Sequence, residues 1–189
     1  NSRLRADDYG KRHFDSNGHL MGDYESAYER RLPDPVKDLH VTKWDWEACM
    51  TIPENQWGYH KDWSLSYVKN PTEVLARIVH AVSMGGNMVV NFGPQPDGEL
   101  PEVAVQRLKE MGEWMNQYGE TIYGTRGGAV APHDWGVTTQ KGNKLYVHIL
   151  NLQDKALFLP LADKKVKKAV LFKNGTPVRF TKNKEGVLL

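Results

Sequence analysis

Two short stretches carry the residues that could do chemistry. The first is Gly22-Asp23-Tyr24-Glu25-Ser26-Ala27-Tyr28-Glu29-Arg30-Arg31-Leu32-Pro33, and the second is Trp44-Asp45-Trp46-Glu47-Ala48-Cys49-Met50-Thr51-Ile52. Both interleave carboxylates with aromatic rings, and the first adds arginines. A carboxyl group held among rings is partly desolvated, so its pKa rises and it can donate a proton near neutral pH. Rings also pack on the apolar faces of sugars. The pattern suits acid–base cleavage of a glycosidic bond, which takes two carboxyl groups in distinct roles. A stretch of this composition is more often a solvated acidic loop, and composition alone leaves both readings open.

The rest of the chain supplies the elements that would position these groups. Trp46 to Ile52 is a short apolar run that reads as a buried strand, followed by a loop around Asn55-Gln56-Trp57-Gly58-Tyr59-His60. Asn70-Pro71-Thr72-Glu73 is a helix start: Asn70 can cap, Pro71 suits the first helical position, and Glu73 completes a capping box. Val74, Leu75, Ile78, Val79 and Val82 then share one face, and Gly85-Gly86 ends the helix. Asn87 to Phe92 is a nearly all-apolar strand, as expected of a parallel sheet covered on both faces. After a turn-rich loop from Gly93 to Gly98, Pro101 opens a second helix with Val105, Leu108, Met111, Gly112 and Met115 expected inward, stopping near Gly119. Residues 120–125 read as one more short strand.

The character changes near Gly128. Short strand candidates at 137–140, 145–150, 156–160, 168–172 and 178–181 are separated by turns such as Lys141-Gly142-Asn143 and Lys173-Asn174-Gly175. That is the pattern of an antiparallel β domain. The first part is a βα pattern too short to close a (β/α)8 barrel, which takes roughly 250 residues. The fold class expected is therefore α/β, an incomplete (β/α)8 TIM-like barrel over residues 1–128, followed by an antiparallel β-sandwich over residues 129–189 that is itself incomplete. In such barrels the chemistry lies in the loops after the strands.

Composition narrows the partners. The 189 residues carry a formal charge of only +2, and Lys164-Lys165-Val166-Lys167-Lys168 reads as a solvated turn and guarded strand edge, so no nucleic-acid partner is expected. Cys49 is the only cysteine, which rules out an internal disulfide and suits a small core residue. No apolar segment has membrane-spanning length and no signal peptide is visible; because the first residue is Asn1 and not Met, the expectation is that the true beginning lies elsewhere. His13 and His19 read as solvated loop histidines, not metal ligands.

Taken in order, these residues resemble a known family. Asn1-Ser2-Arg3, then Gly-Asp-Tyr with Glu29 and Pro33 downstream, then Trp46-Glu47-Ala48-Cys49-Met50-Thr51-Ile52 and Gln56-Trp57-Gly58-Tyr59 match the α-L-fucosidases of glycoside hydrolase family 29. The match runs on through Ser83-Met84-Gly85-Gly86-Asn87-Met88-Val89-Val90-Asn91-Phe92-Gly93-Pro94 and Ile122-Tyr123-Gly124-Thr125-Arg126, covering nearly all of residues 1–126. The resemblance implies a retaining exo-glycosidase that removes terminal α-linked L-fucose from glycans by double displacement, with no metal and no organic cofactor. It places the nucleophile, an aspartate, on an earlier barrel strand that this sequence does not contain, so the other half-barrel is expected as a missing segment or another chain. Localisation would be periplasmic or secreted, where glycan-degrading enzymes work.

The resemblance also suggests roles. Many members carry Asp-Tyr/Phe-x-Thr-Pro-Glu with a proline four residues after the glutamate. Glu29 has Pro33 at that distance and is the first choice for the acid/base, although one residue is inserted between Asp23 and Glu29; without it Tyr28 would take the place. Glu47 is the second choice and Glu25 the third. Arg3 matches an arginine that reaches the sugar and the catalytic carboxylates, and Trp57 matches an aromatic that packs on the fucose, while Trp44, Trp46 and Trp63 read as packing residues. Two rivals stay open: a glycosidase for another sugar, such as a galactoside, and a non-catalytic sugar-binding relative of the fold.

Overall fold

The computed structural model describes residues 16–17, 23–29, 31–34, 45–54, 56–62 and 68–189, with 25–29 described by backbone and register. Strands β1 (Glu25–Glu29), β2 (Trp46–Thr51) and β3 (Asn87–Asn91) form a parallel sheet in the order β1-β2-β3. Helix α1 (Pro71–Ser83) is the crossover between β2 and β3. It begins as its sequence requires: the Asn70 side chain accepts from the Glu73 amide at 2.9 Å, and Pro71 occupies the first turn. Of the expected capping box only this half is seen, because the Glu73 carboxylate instead accepts from Arg77, one turn on, at 3.2 Å.

Side chains alternate along β2, and Trp46, Ala48, Met50 and Ile52 share the face covered by the helices, with different neighbours at its two ends. Trp46 and Ala48 pack against Ala81 and Met84 of the α1 end, while Met50 and Ile52 join Val68, Val74, Leu75 and Met111. Burying each large member of such a cluster contributes about 1.5–3 kcal/mol. The Trp46 indole N–H donates to the Met84 carbonyl at 3.2 Å, which satisfies the one polar atom of a residue 1% exposed. Gly86 lies against that ring so closely that a Cβ there would overlap it. The glycine pair that stops α1 therefore does a second job, since Gly85 adopts φ 78° to turn the chain and Gly86 admits the indole.

The other face of the sheet departs from expectation. Val89 of β3 is 43% exposed and Asn87 is exposed, so this strand is not covered on both faces. The described helices lie on one side only, and an apolar parallel strand is fully buried only when a second layer covers it. Cys49 is likewise half-buried on the Glu47 face and is not a core residue.

Helix α2 (Glu102–Tyr118) follows its apolar pattern at Met111 and Met115 but not at Leu108. The buried positions are Ala104 and Met111, with Val103, Trp114 and Met115 packed beside them, whereas Leu108, expected inward, is 40% exposed. Arg107 takes the inward slot. Its side chain is 13% exposed, and its guanidinium donates to Glu110 at 2.7 Å. The strand expected at 120–125 is absent: a 3-10 turn at Gly119–Thr121 and a left-handed Gly124, at φ 67°, fold this segment back on the helix end.

A second sheet follows, antiparallel, of β4 (Arg126–Gly127), β5 (Gly136–Lys141) and β6 (Lys144–Ile149), with the β5–β6 turn made by Gly142 at φ 57°. Val137 of β5 packs with Val79 of α1 and Ile122, which ties this sheet to the first helix. A third sheet, in the order β7-β9-β8, joins Phe158–Leu159, Val187–Leu188 and Thr181–Lys182 around Val130, Leu157, Leu161 and Val187. Residues 168–172 do not form the expected strand. They close a tight turn with the single bridge Val170 to Pro177 and Gly175 at φ 71°, because the chain reverses before a ladder can extend.

Candidate functional site

The candidate site is the face of the parallel sheet opposite α1, together with the loops that leave its C-terminal edge. Glu47, Cys49 and Thr51 alternate along β2 on that face, away from Trp46, Ala48 and Met50. Their register partners in β3 are Asn87, Val89 and Asn91. Glu47 is half-buried, and the Cys49 thiol lies 4.0 Å from its Oε1.

On the other side of β2 the register runs Glu25 to Trp46 and Ser26 to Glu47, then shifts, so that Tyr28 faces Ala48 and Glu29 faces Cys49. The shift is a β-bulge at Ala27: one extra residue enters β1 and the ladder resumes beyond it. Glu29 is thus the last residue of β1, level with Cys49. Glu47, the second residue of β2, stands four residues before the end of its strand at Thr51, about 13 Å at the usual rise per residue. The two candidate carboxylate positions therefore occupy different levels, with Glu29 nearer the C-terminal edge. Arg3 lies outside the described residues, as do Trp44 and Trp63.

At that edge the loop after β2 meets the loop after β3. The Asn91 side-chain amide donates to the Trp57 carbonyl at 2.8 Å. Gly93 lies directly beneath the next residues, and a Cβ on it would overlap the Tyr59 amide nitrogen and the Gly58 carbonyl carbon. Trp57 and Asn91 are both half-buried. Asn91 and Gly93 were not singled out as site residues by sequence reasoning. The signal for them was an asparagine at the end of an otherwise apolar strand, where a polar side chain has to find a partner.

Among the described residues no group of three or more His, Cys, Asp or Glu is placed to hold a metal ion. No helix of the described residues is long and apolar enough to cross a membrane. Among the described residues, the most perturbed histidine is on the second sheet. His148 of β6 is held down to about 4 by burial, and its Nε2 lies 2.9 Å from the Thr139 hydroxyl.

Known proteins match most of this chain. A family model described as Alpha-L-fucosidase matches residues 3–120. The plasma alpha-L-fucosidase of Rattus norvegicus is 31% identical over 173 residues, which cover 86% of this chain and 36% of that protein. Among solved structures, an alpha-L-fucosidase GH29 from Bacteroides thetaiotaomicron is 54% identical with a TM-score of 0.84, over 96% of this chain and 42% of that one. That structure, of a variant with a glutamate-to-glutamine substitution, is a trapped covalent intermediate in complex with 2-fluoro-fucosyl fluoride. Alpha-L-fucosidase isoenzyme 1 from Paenibacillus thiaminolyticus is 34% identical, with a TM-score of 0.76 over 89% of this chain and 41% of that one. The chain thus spans well under half the length of these relatives.

Proposed function

This chain belongs to the α-L-fucosidase family, and on that footing we propose that it is the C-terminal part of a retaining exo-glycosidase that hydrolyses terminal α-L-fucose from glycans. Residues 1–128 are read as the C-terminal half of a (β/α)8-like barrel and residues 129–189 as part of a β-sandwich. The open face of the β1-β2-β3 sheet is then the barrel interior, which the remaining strands of the complete protein would cover. The complete protein would act outside the cytoplasm, in the periplasm or secreted.

The reaction proposed is double displacement. An aspartate on a barrel strand outside these 189 residues attacks the anomeric carbon, while Glu29 protonates the departing glycosidic oxygen. Glu29 then takes a proton from the water that releases the fucose. Arg3 is assigned to the sugar and the carboxylates, and Trp57 to the apolar face of the fucose. Glu47 is assigned a supporting place lower on the same face.

The observation that carries the choice of Glu29 is the bulge. The resemblance leaves one inserted residue between Asp23 and Glu29, and a bulge absorbs one extra residue without displacing the rest of the strand. Glu29 then keeps a register position at the strand end, where barrel active sites lie. The covalent intermediate held by the Bacteroides thetaiotaomicron enzyme, with its substituted glutamate, supports the same division of roles.

The test uses the complete protein. Glu29→Ala should slow fucosides with poor leaving groups by about 10²–10⁴-fold, since these depend on protonation, and should slow an activated aryl fucoside far less in its first step. Azide needs no general base, so it should restore turnover of the aryl fucoside. Two displacements return the α-fucosyl azide. If Glu47→Ala is the variant that azide rescues, the acid/base is Glu47 and the register argument is wrong.

A further inference from the structure

We propose that Asn91, seated beside Gly93, is a positioning residue that sets substrate affinity by holding the Trp57 loop on the C-terminal edge of the sheet. The proposal rests on the reading above, in which Trp57 packs on the sugar.

The geometry has two independent parts. Asn91 ends β3, and its register partner is Thr51, the last residue of β2. Its side-chain N–H donates to the Trp57 carbonyl at 2.8 Å, across 34 residues of sequence. Asn91 belongs to the strand and Trp57 to the loop after β2, so the strand supplies a rigid donor to that loop. Gly93 provides the second part. Its missing Cβ is the space into which Gly58 and Tyr59 settle. One residue pulls the loop down through a hydrogen bond, and the other lets it come down.

A ring that packs on a substrate helps only in proportion to how often it stands in place. If the loop leaves the edge, the fraction of molecules ready to bind falls and the apparent affinity falls with it. The reacting carboxylates belong to other strands, so the chemical step should be left nearly as it was. This predicts an effect on KM without one on kcat, the signature of lost uniform binding.

The experiment uses the complete protein, an aryl α-L-fucoside, and the variants Asn91→Leu, Trp57→Ala and their combination. Asn91→Leu keeps the volume and removes the donor. It should raise KM by about 3–10-fold, as loss of one hydrogen bond allows, with kcat within about 3-fold. In the Trp57→Ala background the same substitution should add nothing to KM. Gly93→Ala should produce the same split by lifting the loop from below. If Asn91→Leu lowers kcat at unchanged KM, or if the two substitutions multiply as independent effects, the proposal is overturned. Labelling with fluorotryptophan, with the Trp57 signal assigned through Trp57→Phe, separates this idea from the reading beneath it. Asn91→Leu should shift or broaden the Trp57 resonance. An unmoved resonance overturns the positioning role. A moved resonance together with a Trp57→Ala variant of normal KM keeps the positioning of the loop but overturns its link to affinity, and with it the assignment of Trp57 to the sugar.

Discussion

Acid should loosen the second sheet through one residue, His148. Its Nε2 lies 2.9 Å from the Thr139 hydroxyl, and that hydroxyl donates its only hydrogen to the Thr121 carbonyl at 2.7 Å. The hydroxyl must then accept from the imidazole, which assigns the hydrogen to Nε2. Both protonation states can donate from Nε2, so the hydrogen bond does not prefer the neutral ring; burial does, and it lowers the pKa from 6.5 to about 4. Between those values the unfolded chain binds a proton that the folded chain refuses. Stability is therefore complete above pH 6.5 and is lost as pH falls toward 4. The full shift corresponds to about 3 kcal/mol at 1.36 kcal/mol per unit. The ring is only half-buried, so solvent screening reduces the expected loss to about 1–2 kcal/mol. His148→Gln keeps an N–H donor for Thr139 and cannot be charged. Hydrogen-exchange protection of the β5 and β6 amides, corrected for intrinsic rates, should fall on acidification in the wild-type protein more than in the variant. Protection that changes equally in both between pH 7 and pH 4 would refute the reasoning.

Two further outcomes test the frame of the site. Gly86→Ala should destabilise the protein by about 1–3 kcal/mol, because its methyl group would overlap the Trp46 ring, and chemical denaturation followed by tryptophan fluorescence would measure it. Asn70→Ala should cost about 1 kcal/mol through loss of the α1 cap, with a lower denaturation midpoint at unchanged slope.

The segment from β2 to β3 was legible because every signal in it is local. Asn70 caps the amide three residues on, Pro71 fixes its own φ, and Gly85 turns the chain by adopting a positive φ. The failures occur where a local pattern meets a distant partner. The apolar residues of α2 suggest a face that includes Leu108, Met111 and Met115; the two methionines pack as expected, but Leu108 is exposed while the neighbouring Arg107 side chain is largely buried and ends at Glu110. Residues 120–125 have strand-like composition, yet the Thr121 and Thr125 hydroxyls each bond back to a carbonyl three residues earlier and stabilise a turn. Val89 illustrates the same limit. An apolar strand announces two faces to be covered, and the sequence does not say which residues cover them.

The candidate site is proposed from residue types, and those types do not give its register. Counting residues between Asp23 and Pro33 cannot say whether an insertion moves Glu29 off its level or is absorbed before it, because both leave the same sequence. Only pairing distinguishes them. The ladder shifts at Ala27 and then continues through Tyr28 and Glu29, so the extra residue is spent before the strand ends. The same reasoning separates Glu47 from Glu29. Both are glutamates beside aromatic residues, but one lies near the start of its strand and the other at the end of its own. For a fold whose chemistry is gathered at the C-terminal edge, that difference of level is the strongest distinction between them. Asn91 strengthens it, since it ends β3 at the level of Thr51 and there holds the carbonyl of Trp57. On the proposed reading, a carboxylate that works with Trp57 has to reach that level, and Glu29 starts about 7 Å nearer to it than Glu47 does.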